Sequence, residues 1–289
     1  MRKYAVLTID LKNSKKYASS QRQCIQKYIY EILISLNRLF ISDVEKQVDF
    51  SGGDELQGLF YSPESAYLFY RFLLLFLNPV KIRAGIGVGT WDVKMSELGT
   101  AAQDGKVYHN ARYAIEHADK AGSTILICSE NEVDLTINVM MATVGSFVLN
   151  MTTNQNQLAL FAELLTPICL NINSNLKLSK EIVSDLLFKK NEFDKIFNKN
   201  KNKTILDKLN DADWENYSGK VENSSELFIR QIEDKNYFIT NGKVRGLPTE
   251  IANILSVSRF NIETSLNSGN TYLARNIVLV LLNEMRKIG

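Results

Sequence analysis

The order of hydrophobic patterns in the first 130 residues constrains the fold most, because strand-like and helix-like stretches alternate there. Short runs rich in β-forming residues predict five strands: "KYAVLTI", "KQVDF", "ELQGLFY", "KIRAGIGVG" and "STILICS". Between them, residues 19–40, 62–78 and 106–120 predict helices. The resulting order, β-α-β-β-α-β-α-β, favours a split βαβ sheet with its first strand in the centre and with the helices on one face.

One hairpin in this region carries acidic residues that suggest chemistry. In "FSGGDELQGLF", residues 50–60, the pair Gly52-Gly53 is a preferred centre for a two-residue turn. Asp54 would begin the strand that leaves this turn, and Asp10 ends the first strand. If the two strands are neighbours, both carboxylates enter one cleft, where they repel each other unless a cation lies between them. Mg²⁺ or Mn²⁺ would relieve that repulsion and would accept the Leu11 carbonyl as a further ligand.

The same residues also fit a simpler explanation, in which Gly-Gly-Asp is only good turn chemistry and Asp10 only caps a turn. Several cations lie near the predicted cleft: Lys12, Lys15 and Lys16 follow the first strand, and Arg83 lies on the fourth. Positioned cations and metal ions stabilise charge in phosphoryl transfer. The lysines fit a solvated loop equally well. Glu55 should point to the other face of its strand and receives a lesser role.

Three stretches resemble the palm-type catalytic domains of class III nucleotidyl cyclases and GGDEF diguanylate cyclases: "AVLTIDL", "FSGGDELQGLF" and "IRAGIGVG". In those families a strand-end Asp and an acidic hairpin residue bind two metal ions, which activate a ribose hydroxyl and hold a triphosphate. Asp10 and Asp54 fall on these two positions. The resemblance implies an α/β (α+β) chain whose residues 1–130 form a ferredoxin-like βαββαβ palm. It also implies a nucleoside triphosphate ligand, Mg²⁺ or Mn²⁺, and a homodimer.

The closer resemblance is to the SatD family, on motifs that occur here in the family's order: "DLKNS" (10–14), "GDELQG" (53–58), "GIGVG" (85–89) and "DGKVYHNARYAIEHA" (104–118). It covers residues 1–128 and the last 45 residues, and relative to a shorter family pattern residues 170–225 look like an insertion. The phosphate-binding candidates around the predicted cleft are Lys12, Ser14, Lys15, Gly52, Gly53 and Arg83.

The cyclase resemblance also implies catalytic roles on the third helix. Arg112 matches the arginine that stabilises the transition state, and Asn110 is the candidate for its companion asparagine. Asn110 stands two residues late, however, and Tyr108 occupies the family's asparagine position. Phe50 replaces the lysine that selects the base in active cyclases. Adenine or guanine specificity is therefore not implied.

Residues 131–289 predict a separate helical domain with a helix-turn-helix at about 246–270. "PTEIANILSVSRFNIETSLNSG", residues 248–269, has one helix, a turn at Ser256–Ser258 and a second helix with two core positions. Arg259, Asn261 and Thr264 are the candidates for DNA contact. Because Arg259 is the one cation on the exposed side of that helix, a protein-only role in dimerisation or packing stays equally open.

Composition narrows the remaining choices. Thirty-four Lys and Arg oppose 32 Asp and Glu, and this gives no argument for bulk nucleic-acid binding. A lysine-rich stretch at 189–203 predicts a solvated helix end and loop, with nucleic-acid contact as the alternative. Three separated cysteines and two histidines do not suggest a zinc site, and buried thiols in a reduced cytoplasm are expected. No apolar run approaches the length that spans a bilayer, so we expect a soluble, cytoplasmic protein with no membrane partner.

Three hypotheses follow from these patterns. The first is a metal-dependent palm-type domain that carries out nucleotidyl transfer or cyclisation on a nucleoside triphosphate. The second is a nucleotide-sensing transcription regulator, in which a catalytically inactive palm binds the nucleotide and the C-terminal helices bind DNA. The third is a purely structural palm within a larger assembly.

Overall fold

A computed structural model describes residues 2–95, 97–168, 178–198, 203–209 and 242–289. Cys169 and half of the insertion expected at 170–225 lie outside this part of the chain. The described chain is mixed α/β, with one five-stranded sheet in the order β2-β3-β1-β4-β5. The strands are β1 (Tyr4–Leu11), β2 (Val44–Gly52), β3 (Glu55–Phe60), β4 (Ile82–Gly89) and β5 (Ile125–Cys128).

The first strand lies inside the sheet, as its place in the chain order predicts. β1 pairs antiparallel with β3 on one side and with β4 on the other, whereas β5 is parallel to β4. The first three helices also match their predicted positions: α1 (Ser19–Leu39), α2 (Pro63–Leu77) and α3 (Lys106–Ala118). At the start of α2, the Ser62 hydroxyl accepts a hydrogen bond from the Ser65 backbone N–H at 3.2 Å, which satisfies one free donor of the first turn.

The helices cover both faces of the sheet, so the expectation that they share one face is wrong. Phe69 of α2 packs its ring against Phe60 of β3, with centroids 5.5 Å apart. Val107 of α3 instead packs in a buried cluster with Val6 and Leu59. Because neighbouring strand residues alternate between faces, Leu59 and Phe60 point to opposite sides of the sheet. Accordingly α2 and α3 lie on opposite sides of the sheet.

Glycine on β4 is what lets α3 approach so closely. A Cβ atom built on Gly87 would lie 2.1 Å from the Val107 carbonyl oxygen and 2.2 Å from the Ala111 nitrogen, both backbone atoms of α3. A backbone atom cannot rotate away from such a clash as a side chain can. The glycines of "GIGVG" therefore fix α3 against the strand that carries Arg83.

We expect Gly87→Ala to destabilise the protein by about 1–3 kcal/mol, because the new methyl group must push α3 off the sheet. Urea unfolding monitored by circular dichroism measures this. Gly99→Ala is the matched control, since a Cβ there meets no atom within 4 Å. Equal stability of the two variants would show that α3 does not depend on this contact.

The chain divides into two compact units, one made of the residues up to Ser146 with Val280–Gly289 and the other of Phe147–Leu279. This division falls after the predicted boundary at residue 130. Helix α4 (Asp134–Leu149) is bound to β5 through Asn138, whose side chain accepts from the Ile127 N–H at 2.7 Å and donates to the Ile127 carbonyl at 3.1 Å.

The second unit is helical in its described part, as predicted. Its helices are α5 (Thr153–Leu165), α6 (Lys180–Phe197), α7 (Leu247–Ile254), α8 (Arg259–Ser268) and α9 (Thr271–Met285), of which α9 ends in the first unit. The lysine-rich stretch is not wholly solvated. Lys190 is fully buried, and its Nζ lies 2.7 Å from Asp194 Oδ1, so the neighbouring charge compensates for its loss of water.

The cysteines are less buried than the sequence analysis expects. Cys24 is exposed and Cys128 is half-buried, so the prediction of buried thiols is wrong for Cys24.

Among the described residues, no helix has both the length and the apolar character needed to span a membrane.

Candidate functional site

The sheet register puts three charged residues on the face that α3 covers. Asp10 of β1 is directly opposite Arg83 of β4. On the other side of β1, the last residue pair with β3 is Ile9 opposite Leu56. Asp10 follows Ile9 in β1, and Glu55 precedes Leu56 in β3. Counting in steps of two from the paired residues Val6 and Leu59 places Asp10 and Glu55 on the α3 face.

The carboxylate of Asp10 is held by Arg83. Oδ2 of Asp10 accepts a hydrogen bond from Nε of the guanidinium group at 2.8 Å, and Nη2 lies 2.7 Å from the same oxygen. A hydrogen bond between two charged groups is shorter and stronger than one between neutral groups. Asp10 thus has a protein cation as its partner at the position where the sequence predicts a metal ligand.

A second carboxylate, from Asp119, joins the two predicted phosphate-binding cations. Its Oδ1 lies 2.6 Å from Lys12 Nζ, and its Oδ2 lies 3.3 Å from Arg83 Nη1. The hydrogen bond from Lys12, with the charge of Arg83, lowers the pKa of Asp119 below its ordinary value. The sequence analysis missed Asp119 because it follows the end of α3 and belongs to no motif.

The hairpin turn is shifted by one residue from its predicted position. Gly52 pairs with Glu55, so the two turn residues are Gly53 and Asp54 rather than Gly52 and Gly53. Gly53 has a φ of +63° and Asp54 has a negative φ, a combination that matches a type II′ turn. Asp54 therefore lies in the turn itself and does not begin β3.

Asp54 has an unsatisfied oxygen. Its Oδ2 is buried and has no hydrogen-bond partner. A buried carboxylate oxygen without a partner is unfavourable, and a bound cation would remove that cost.

The other predicted ligand fits a metal ion less well. Oδ2 of Asp10 is already satisfied by Arg83. Nowhere in the described ranges do three or more His, Cys, Asp or Glu side chains come together as a group that could hold a metal ion. Among the described residues, one oxygen of Asp54 therefore suggests a cation, whereas Asp10 already has Arg83 as its cationic partner.

Arg112 reaches from α3 to the start of β3, where Glu55 binds it. Nη1 lies 3.0 Å from Oε2 and Nη2 lies 3.3 Å from Oε1, and the Ser51 hydroxyl donates to Oε1 at 3.0 Å. Glu55 thus positions the arginine that the cyclase resemblance singles out, although sequence reasoning assigns Glu55 a lesser role. If the turn is placed at Gly53–Asp54, the alternation of side chains along β3, counted back from Leu59 in steps of two, puts Glu55 on the face that α3 covers.

The structure also describes the other predicted site residues of the sheet-bearing unit. Leu11 is buried at the end of β1, and Ser14 and Lys15 follow in a short 3₁₀ turn, Ser14–Lys16. Asn110 is buried, and its Nδ2 donates to the Val88 carbonyl at 2.9 Å, which ties α3 to β4. Through this contact Asn110 helps to pack α3 against β4. Its described hydrogen bond is not shared with Arg112, which binds Glu55.

The candidate DNA-contact residues lie on α8. A turn at Ser256–Ser258 joins α7 to α8, and the Ser258 hydroxyl accepts from the Asn261 N–H at 3.3 Å to cap the second helix. Ile262 and Leu266 are buried, as the two predicted core positions require. Arg259, Asn261 and Thr264 are all exposed. Their use in DNA binding stays a prediction.

Comparison with known families bears on the sheet-bearing part of the chain. The model of the SatD family matches residues 4–171, which is more than half of the sequence. The chain belongs to the SatD family. No curated protein and no solved structure matches it. The matched SatD region contains all five strands and α1 to α5, and therefore every candidate residue of the charged cluster, but it ends before α7 and α8.

The lowered pKa of Asp119 gives a pH-dependent expectation. A carboxylate whose folded pKa is depressed stabilises the fold above its unfolded pKa, and that contribution is lost as the pH falls through the folded pKa. Asp119→Asn should therefore lower the urea midpoint at pH 7. Because the Asp119 side chain is 40% exposed, solvent screening limits the effect to less than about 1 kcal/mol.

The difference in urea midpoint between wild type and Asp119→Asn should close as the pH falls below the ordinary Asp value of 3.8. Midpoints measured at intervals from pH 7 to pH 3 test this. A difference that stays constant over this range would mean that the charge of Asp119 contributes nothing.

Proposed function

We propose that the sheet-bearing unit is a metal-dependent nucleotide-binding domain of palm type, which carries out nucleotidyl transfer or cyclisation on a nucleoside triphosphate. The observation that carries the proposal is that Asp10 and Glu55 share a sheet face and hold Arg83 and Arg112, the two arginines expected to meet phosphate. The strand order β2-β3-β1-β4 supports it, since palm-type domains interleave their two βαβ units in this way.

Each candidate has a defined task in this proposal. Asp54, with the Leu11 carbonyl and Asp10, would hold Mg²⁺ or Mn²⁺. The ion, when bound, supplies positive charge for phosphate oxygens. Lys12 and Arg83 would bind the phosphates, together with Ser14, Lys15 and the backbone N–H groups of the Gly52-Gly53 segment. Arg112, positioned by Glu55, would stabilise the charge that develops as the phosphoryl group transfers.

The test is ligand-dependent melting of wild type and Asp54→Asn with Mn²⁺ and each of the four nucleoside triphosphates. Ligand at about 100 times its Kd stabilises the folded state by about 2.7 kcal/mol, which raises the Tm by several degrees. We expect this rise in the wild type with at least one triphosphate and its loss in Asp54→Asn. Without ligand, Asp54→Asn should melt at the wild-type temperature or slightly above it, because the change removes a charge from a buried, unpartnered oxygen.

Asp49→Asn is the matched control, because Asp49 is an exposed acid of the same hairpin and it only accepts a hydrogen bond from the Phe50 N–H. It should keep the ligand-induced rise in Tm. A purely structural turn gives the opposite result: Asp54→Asn would lower the Tm of the free protein and leave nucleotide binding intact. Chromatography of the reaction mixture then separates turnover from binding alone.

A second candidate function is a nucleotide-sensing transcription regulator whose palm domain binds without turnover. It is favoured by the exposed polar surface of α8, where Arg259, Asn261 and Thr264 follow a tight turn after α7. Side chains of these types read base edges and phosphates when the second helix of such a pair enters the major groove.

If α8 contacts DNA, the double change Arg259→Ala and Asn261→Ala should abolish specific binding in a gel shift on the region upstream of the protein's own gene. Exposed substitutions of this kind change stability by about 0.5 kcal/mol or less, so the fold should persist. Arg22→Ala, which removes an exposed arginine of α1, is the control and should leave binding unchanged. Binding retained by the double variant would exclude this surface of α8.

A further inference from the structure

Asp119 lies between the two cations that the proposed function assigns to phosphate. Its Oδ1 is 2.6 Å from Lys12 Nζ, and its Oδ2 is 3.3 Å from Arg83 Nη1. One carboxylate thus bridges an ammonium and a guanidinium group, with one oxygen for each. A phosphate group that bound both cations would present its oxygens to the same two groups.

The charges around this carboxylate cancel. Lys12 and Arg83 carry two positive charges, and Asp10 and Asp119 carry two negative charges, so the formal charge of the four residues is zero. An anion gains little from such a group, because repulsion from the carboxylates offsets attraction to the cations. Lys12 and Arg83 keep N–H groups that Asp119 does not use, so Asp119 weakens anion binding through its charge and does not block it.

Asp119 is placed so that it can give way to a ligand. Its side chain is 40% exposed, and those of Lys12 and Arg83 are 34% and 36% exposed, so both ion pairs meet solvent and contribute little to stability. Its backbone carbonyl accepts a hydrogen bond from the Gly122 N–H at 3.1 Å, in the turn that follows α3. The side chain can therefore rotate away while this turn stays intact. Phosphate carries more charge than a carboxylate and pairs with the same cations.

We infer that Asp119 is a built-in competitor of the phosphate ligand, which pairs with Lys12 and Arg83 in the free protein and lowers their affinity for phosphate until the ligand displaces it. This inference rests on the proposed function, because the phosphate is that of the proposed nucleotide, but it involves no metal ion. Asp119 then has opposite effects on two properties: its charge stabilises the fold and opposes ligand binding.

The experiment measures binding of inorganic tripolyphosphate by isothermal titration calorimetry, at low ionic strength and in buffer freed of metal ions by a chelating resin. Asp119→Asn should bind tripolyphosphate at least about fivefold more tightly than the wild type, because a unit charge about 4 Å away changes affinity by about that factor even in bulk water. Asp119→Ser should give the same gain, and it carries the test if Asp119→Asn does not fold, as judged by circular dichroism. A purely structural role predicts the opposite sign, since loosening Lys12 and Arg83 would weaken binding.

Glu116→Gln is the matched control, because it removes the same charge from an exposed position of α3, three residues before Asp119. It should leave the affinity for tripolyphosphate unchanged. Adding Lys12→Gln to Asp119→Asn should remove the gained affinity, which assigns the gain to the cation that Asp119 released.

Equal affinity of wild type and Asp119→Asn overturns the inference, and so does the absence of measurable binding in both. An equal gain in Glu116→Gln, or a gain that persists without Lys12, also overturns it. Any of these results leaves the proposed function to its own test, the melting experiment with Mn²⁺ and nucleoside triphosphates. Conversely, a Lys12-dependent gain in Asp119→Asn supports the competitor even if no triphosphate stabilises the wild type, in which case the proposed function alone fails.

Discussion

The ion pair between Asp10 and Arg83 connects the fold of this protein to its candidate site. It exists because β1 runs antiparallel beside β4 in a register that puts the two residues opposite each other on one sheet face. Through Arg83 the pair extends to Asp119, and through Asp119 to Lys12. A slip of one residue in this register would turn one partner to the other face and would dismantle the whole cluster.

The position of the cluster follows from where α3 can pack. Alternate residues of β4 on the α3 face are glycines from Gly85 to Gly89, and the helix backbone lies directly on them. The next residue toward the start of β4 on that face is Arg83, and the same face of β1 changes from Val6 through Thr8 to Asp10. The sheet is thus apolar under the helix and polar beyond it, so the charged side chains collect at that end.

Sequence patterns predict the strands and the first three helices well, because hydrophobic periodicity depends on neighbouring residues alone. They place Asp10 correctly at the end of β1 for the same reason. What they miss depends on tertiary contacts. The turn at Gly53–Asp54 is set by the pairing of Gly52 with Glu55, and Asp119 joins the cluster only through the packing of α3. The sequence pattern predicts that Lys190 is exposed to solvent. Its ion pair with the buried Asp194 can be identified only in the folded helix.

The proposed function requires that Asp54 and Asp10 hold a metal ion next to a bound nucleotide. The most direct measurement is a crystal structure of the protein soaked with Mn²⁺ and a non-hydrolysable nucleoside triphosphate, with anomalous data collected for manganese. We expect an anomalous peak beside Asp54, with the side chains of Lys12 and Arg83 on phosphate. A nucleotide-bound crystal with no manganese peak beside Asp54 would contradict the proposed function.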